Sequence, residues 1–170
     1  MTIREIRLFG DPVLNTEATE ITEFDSSLAV LVDDMLETMD AAGGVGLAAN
    51  QIGLTKRVFV YDCSMIESGL RGHIINPVWE PIGDETQLGS EGCLSIPDIS
   101  ADTERFYSVV VRGQDAQGRP IAMQASGLLA RCIQHETDHL DGVLFLKRLS
   151  PELRKEAMST IRAAEWFKEN

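Results

Sequence analysis

Cysteine is scarce in this chain and odd in number: Cys63, Cys93 and Cys132 are all that 170 residues contain. Three thiols without a repeating spacing do not make a disulfide framework, so the expected setting is a reducing cytoplasm. Basic residues are short as well, 15 Lys and Arg against 27 Asp and Glu, giving a formal net charge of -12. That balance argues against nucleic acid as a specific ligand, because phosphate binding needs clustered Lys and Arg. Long apolar runs are missing: nothing approaches the ~18 residues of a membrane span. Met1 to Gly10 mixes charged and apolar residues where a signal peptide would carry a continuous apolar core. Repeats, linkers and biased tracts are absent too. What remains is 44% hydrophobic and 25% charged, a composition that excludes disorder and suits one continuous domain over residues 1–170.

Three segments carry helical periodicity. Leu28, Leu31, Val32, Met35, Leu36 and Met39 form one stripe, with Asp25 or Ser26 to cap its start and Gly43 to end it. A second helix is expected from Ser126 to Leu140, with Ser126 as its cap and Gly142 just beyond its end. A third opens with Ser150-Pro151, a cap followed by proline at the first helical position, and continues to the C-terminus. Strands are expected at Val58 to Asp62, His73 to Trp79, Tyr107 to Arg112 and Pro120 to Gln124. The last two flank a hairpin loop, Gly113 to Gly118. Because strands and helices do not alternate, the expected class is α+β, with antiparallel sheets packed around a central helix.

Histidine is as rare as cysteine, yet two of the three His residues sit together in Gln134-His135-Glu136-Thr137-Asp138-His139. A spacing of four puts both imidazoles on one helical face, within reach of a single metal ion. Glu136, next to a ligand, can hold a water and accept its proton. Leu128, Cys132, His135 and His139 share one stripe, which turns the histidines inward rather than onto a charged surface. A catalytic metal usually has three protein ligands and one open position. No histidine follows His139, so the third ligand is a Cys, Asp or Glu from elsewhere. Cys93 stands out, since Gly92 lets its backbone approach closely and its segment lacks strand or helix periodicity. Cys63 reads as a small buried hydrophobe, Cys132 as a core residue that could also line the site, and His73 as structural or surface. Such a donor set suits Fe(II), Zn(II), Ni(II) or Co(II) and disfavours Mg and Ca.

Gly44, Gly46 and Ala49 satisfy G-x-G-x-x-A, but a helix precedes them where a dinucleotide fingerprint needs a strand. The functional alternative to a plain turn is glycine-exposed backbone that grips an extended peptide, with Gln51 directing its carboxamide into the metal cleft.

Together, GVGLAANQ at 44–51, EGCLS at 91–95 and QHETDHLDG at 134–142 resemble the three signature motifs of bacterial-type peptide deformylase. They stand in the family's order with comparable spacing, over essentially the whole chain. The resemblance implies a single catalytic domain that removes the N-formyl group from the N-terminal methionine of nascent polypeptides, releasing formate. It implies Cys93, His135 and His139 as metal ligands, Glu136 as acid–base, and Gln51 with the Leu94 backbone N–H as oxyanion donors. Val45 and Gly46 match the residues whose backbone holds the substrate, and Leu128, Arg131 and Cys132 are the candidates for its side-chain pocket. Arg105 matches an arginine supporting the site from behind. Ferrous iron is the family's usual metal, with zinc, nickel or cobalt as substitutes.

Two positions depart from the family pattern. Ser100 stands where many members carry an arginine near the substrate entrance. Arg131 stands where some have an apolar residue, its aliphatic stem expected along the pocket wall with the guanidinium in solvent. The nearest rival reading is an H-E-x-x-H metallopeptidase, which usually completes its site with a downstream His or Glu. A metal-stabilised binding module is a second, but it would fill the fourth position with protein. From Pro151 onward the chain carries four basic and four acidic residues. The resemblance suggests that this tail touches the ribosome near emerging chains, whereas its pattern suggests an amphipathic helix packing Leu153, Ala157 and Ile161 on the domain.

Overall fold

The computed structural model describes residues 2–169. Helix α1 (Ser26–Ala42) starts where the Asp25 carboxylate accepts from the N–H groups of Ser27 and Leu28, and stops at Gly43, whose φ of 70° only glycine adopts without strain. Its buried stripe is the one the periodicity gives, with Leu36 half-buried at its margin.

Five strands form an antiparallel sheet in the order β1 (Gly46–Ala48), β2 (Val58–Asp62), β3 (Arg71–Pro81), β6 (Ser108–Gln114), β7 (Pro120–Ser126). Strand β2 is apolar on both faces because both are covered. Val58 and Val60 pack with α1, while Phe59 and Tyr61 pack with the central helix α2 (Gly127–Leu140). Two strands that the sequence reading lacks, β4 (Thr86–Cys93) and β5 (Ile96–Phe106), form a separate hairpin. Cys93 therefore ends a strand, contrary to the unpatterned segment expected for it. The fold class, α+β with antiparallel sheets around a motif-bearing helix, is as expected.

Two local expectations need correction. Ser126 occupies the cap position of α2, but its hydroxyl pairs with that of Ser108 at 2.8 Å instead of capping. The C-terminal helix is not continuous: α3 (Pro151–Ala163) ends at the extended Ala164, and a short α4 (Glu165–Lys168) follows. Ser150 does cap α3, accepting from the Leu153 N–H. Ala157 and Ile161 are buried against Leu14, Ile96 and Ile99, with Leu153 packed beside them. Helix α3 thus braces the back of β5. Among the described residues no helix is long and apolar enough to cross a membrane.

Candidate metal centre and active site

The hairpin and the central helix meet at three side chains. Cys93 arrives at the end of β4, and His135 and His139 lie one turn apart on α2. Cys93 Sγ is 3.3 Å from His139 Nε2, which is 3.1 Å from His135 Nε2, and the three ligand atoms lie within 4.8 Å of one another. Two imidazole nitrogens that close, each with a lone pair directed between them, repel unless a proton or a cation sits there. His135 is buried, which alone would lower its pKa, but hydrogen bonds to Cys93 and Glu91 outweigh burial and raise it well above the ordinary imidazole range. His139 is shifted well below that range by burial and by the charge of His135. The position therefore favours one concentrated positive charge held by one sulfur and two nitrogens, which fits a divalent transition metal.

Behind the triad stands a carboxylate that the sequence reading leaves without a role. Glu91 Oε1 meets His135 Nδ1 at 2.5 Å, fixing which imidazole nitrogen faces the cluster. Arg105 grips Glu91 with two donors, Nη2 to Oε1 at 2.6 Å and Nε to Oε2 at 3.1 Å. Its Nη1 reaches Asp138 Oδ2 at 2.7 Å, and Arg148 donates to both oxygens of the same carboxylate. Burial raises the Glu91 pKa, yet the hydrogen bonds from His135 and Arg105 prevail and hold it below the usual carboxylate range. Two signals could have revealed this support: Glu91 shares a strand face with Cys93, and Asp138 follows His135 by three on the helix.

Glu136 lies on the cleft side of α2 with its Oε2 buried and unpartnered. The chain makes room for it by leaving out a side chain: a Cβ on Gly46 would stand 2.8 Å from Glu136 Oε1 and 2.9 Å from Cys132 Sγ. Burial pushes the Glu136 carboxyl up to about 7, with His135 pulling the other way and Glu91 adding to the rise. Gln51 is locked at one end, its Oε1 accepting from the Ala48 N–H at 3.0 Å. Its Nε2 donates to Ser95 Oγ at 3.1 Å and lies 3.5 Å from Cys93 Sγ.

These groups open into one cavity of about 500 Å³. Cys93, His135, Glu136, Gln51 and Leu94 form its floor, and His139 lies fully buried beneath it. Val45 and Gly46 form one wall, with Leu128, Arg131 and Cys132 beside them and Ser100 along the rim. All the residues singled out from sequence are thus brought together, but Arg131 is not disposed as expected. Its side chain is only 7% exposed, and the guanidinium turns onto Glu91 Oε2 at 2.7 Å and the Thr103 carbonyl at 2.8 Å rather than into solvent. The physical reason is that Glu91 already lies buried in that wall and attracts a second cation. Cys63 is fully buried, and His73 accepts the Ala116 N–H at 3.0 Å, a structural role.

The raised Glu136 pKa has a cost in stability. In the metal-free protein the unfolded chain ionises this group near 4.5 and the folded chain near 7. Stability is full below the lower value, falls between the two, and stays reduced above the upper one. Glu136→Gln removes the titration. The variant should therefore gain on wild type by up to about 3 kcal/mol between about pH 4.5 and pH 8, measured by urea unfolding of the metal-free proteins. A pH-independent difference would refute the assignment.

Comparison with known proteins gives one answer. The family model described as polypeptide deformylase matches residues 3–155. A protein of Corynebacterium efficiens named peptide deformylase 1 is 66% identical over 98% of this chain and 99% of its own length. One from Acidothermus cellulolyticus, named peptide deformylase, is 54% identical over 98% and 89%. Among solved structures, the peptide deformylase of Thermus thermophilus aligns with a TM-score of 0.88 at 40% identity, covering 95% of both chains. That of Synechococcus elongatus, solved in complex with actinonin, also gives 0.88, at 38% identity over 96% of this chain and 90% of that one. Motifs, cleft and fold agree with these matches, and the chain belongs to the polypeptide deformylase family.

Proposed function

We propose that residues 1–170 form a single catalytic domain that hydrolyses the formamide of N-formylmethionyl peptides, giving formate and a free amino terminus. The observation that carries this reading is the convergence of the Cys93–His135–His139 triad, Glu136 and Gln51 on one cleft. Cys93, His135 and His139 would hold a divalent ion, which would supply Lewis acidity and a water acidified to a pKa of about 7. Fe(II) is the metal we assign, with Zn(II), Ni(II) and Co(II) suiting the same donors.

The chain's own groups do the rest. Strand β1 lies at the edge of its sheet, so the backbone beside Val45 and Gly46 is placed to hold an extended peptide by added strand pairing. Leu128, Arg131 and Cys132 surround the first side chain. Gln51, its oxygen fixed by Ala48, presents Nε2 to the cleft, and with the Leu94 N–H it stabilises the negative charge that grows on the formyl oxygen. Each such donor is worth on the order of 10²–10³ in rate. Glu136 takes a proton from the attacking water and delivers it to the departing amine; a carboxyl that burial pushes up to about 7 suits both directions of transfer. The metallopeptidase alternative is not favoured, since the third ligand comes from a strand upstream rather than from beyond His139.

The substrates are formylated nascent chains, and three free cysteines support a reducing, cytoplasmic setting. With Ala157 and Ile161 buried, the exposed face of α3, bearing Lys155 and Arg162, is the part of the tail left to meet the ribosome.

Incubation with formyl-Met-Ala-Ser should yield formate without shorter peptides; cleavage of the Met-Ala bond would instead indicate a peptidase. Glu136→Gln should keep its metal and lose turnover, and near-normal activity would reject its acid–base role. Cys93→Ser should lose metal on dialysis, whereas unchanged content would remove it from the ligand set. Reversing Lys155 and Arg162 to Glu should weaken co-sedimentation with ribosomes, and an unaltered profile would exclude that contact.

A further inference from the structure

Arg131 brings more hydrogen-bond donors into the cleft wall than the protein uses. The residue is 6% exposed and lines the cavity beside Leu128 and Cys132. Only Nη1 is engaged, by Glu91 Oε2 and the Thr103 carbonyl, and Nη2 is buried with no partner. Glu91 has no oxygen to spare for it. Oε1 already takes His135 Nδ1 and Arg105 Nη2, and Oε2 takes Arg105 Nε and Arg131 Nη1.

The opposite strand keeps the guanidinium end free. A Cβ on Gly89 would stand 3.2 Å from Arg131 Nη2, so a larger residue there would crowd it. Arg131 itself lines the cleft, so its guanidinium with the unpaired N–H groups lies in the wall that an occupant of the pocket meets. A buried cation with unused donors is an exception in folded proteins and calls for an acceptor. Of the residues beside it along the cleft, Leu128 and Val45 offer no side-chain acceptor and Cys132 only a weak sulfur one.

The inference rests on the deformylase reading, in which the substrate's first side chain fills this pocket. A methionine thioether accepts hydrogen bonds only weakly, whereas its sulfoxide carries a strongly accepting oxygen on a chain of the same length. We propose that Arg131 donates to the end of the first side chain, so that peptides beginning with N-formylmethionine sulfoxide are substrates alongside N-formylmethionine. The sulfoxide is recognised and left unchanged; the reaction remains hydrolysis of the formamide to formate and amine. The consequence is a chain-processing enzyme that still acts on amino termini whose methionine has been oxidised.

The test uses the metal-loaded enzyme and three peptides, formyl-X-Ala-Ser, with X as methionine, methionine sulfoxide or homoleucine. Homoleucine has the branched shape of the sulfoxide without its acceptor. An apolar pocket favours the hydrocarbon, because the sulfoxide must shed its water without replacement. Wild type should instead cleave the sulfoxide peptide with kcat/KM at least tenfold above the homoleucine peptide. In Arg131→Met that ratio should fall to one or below. A wild-type ratio of one or less, or a high ratio that survives Arg131→Met, overturns the proposal. Should Arg131→Met fail to fold, the deformylated tripeptides serve as competitors of wild type. The sulfoxide product should then inhibit at least tenfold more tightly than the homoleucine product, and equal inhibition overturns the assignment. Cleavage of the methionine peptide is the control: its failure strikes the deformylase reading itself, whereas failure confined to the sulfoxide strikes only the role of Arg131.

Discussion

One buried carboxylate holds the site in shape. Glu91 takes a proton-bearing nitrogen of His135 on one side and two arginine side chains on the other, all within 3.1 Å. Isolated, such a charge would be too costly to bury; here every oxygen has at least two donors. The arrangement joins the hairpin to the central helix. Arg105 lies on β5, Glu91 on β4, and His135, Arg131 and Asp138 on α2, so the ion pairs set the hairpin against the helix at the level of the metal ligands. Gln134 adds to the same seam, pairing with both the N–H and the carbonyl of Phe106.

Close approach does for the cleft what charge does for its base. Strand β1 passes directly over Glu136 because Gly46 has no side chain, and Gly44 leaves similar room for Leu94, whose Cδ1 would lie 2.7 Å from an added Cβ. The glycine loop is therefore a packing device as well as the edge of its sheet. It brings a backbone capable of strand pairing up against the Glu136 carboxylate. The sheet keeps its own hydrogen bonds through β2, and the outer edge of β1 pairs with no other strand among the described residues.

How much of this could be read from the chain depended on where the chemistry was local. His135 and His139 were legible because four residues are one helical turn, and β2 was legible because the four residues before Asp62 are β-branched or aromatic. Strands β4 and β5 were invisible to the same reading. Their buried positions include Glu91, Thr103 and Arg105, and only Ile96 and Ile99 among them are apolar, so hydrophobic alternation is broken along both strands. Arg131 was misplaced for the same reason: its partner Glu91 lies 40 residues upstream on an element the pattern did not disclose. Local propensity misled in smaller ways. Ser126 found a better partner across the hairpin than its own helix, and the terminal helix broke at Ala164, where no proline or glycine marks the stop. The resemblance to a family supplied the site residues that lie far apart in sequence, and the geometry then supplied the reason they belong together.

The division of ligands between hairpin and helix has a thermodynamic consequence. Cys93 belongs to the small sheet, whereas both histidines belong to the helix packed on the large one. Occupying the triad therefore ties the same two bodies that the Glu91 ion pairs already join, and any cation bound by the folded chain but not by the unfolded one stabilises it by mass action. The two devices are complementary rather than redundant. The ion pairs act without a ligand and keep the imidazoles oriented, while ligation adds stability where His135, His139 and Glu136 have been withdrawn from water. A cleft built on apolar packing alone would tolerate this burial poorly. Here the buried polar groups are concentrated at one seam, where the hairpin and the helix each bring a member of the Cys93–His135–His139 triad together with a charged partner that fixes the seam.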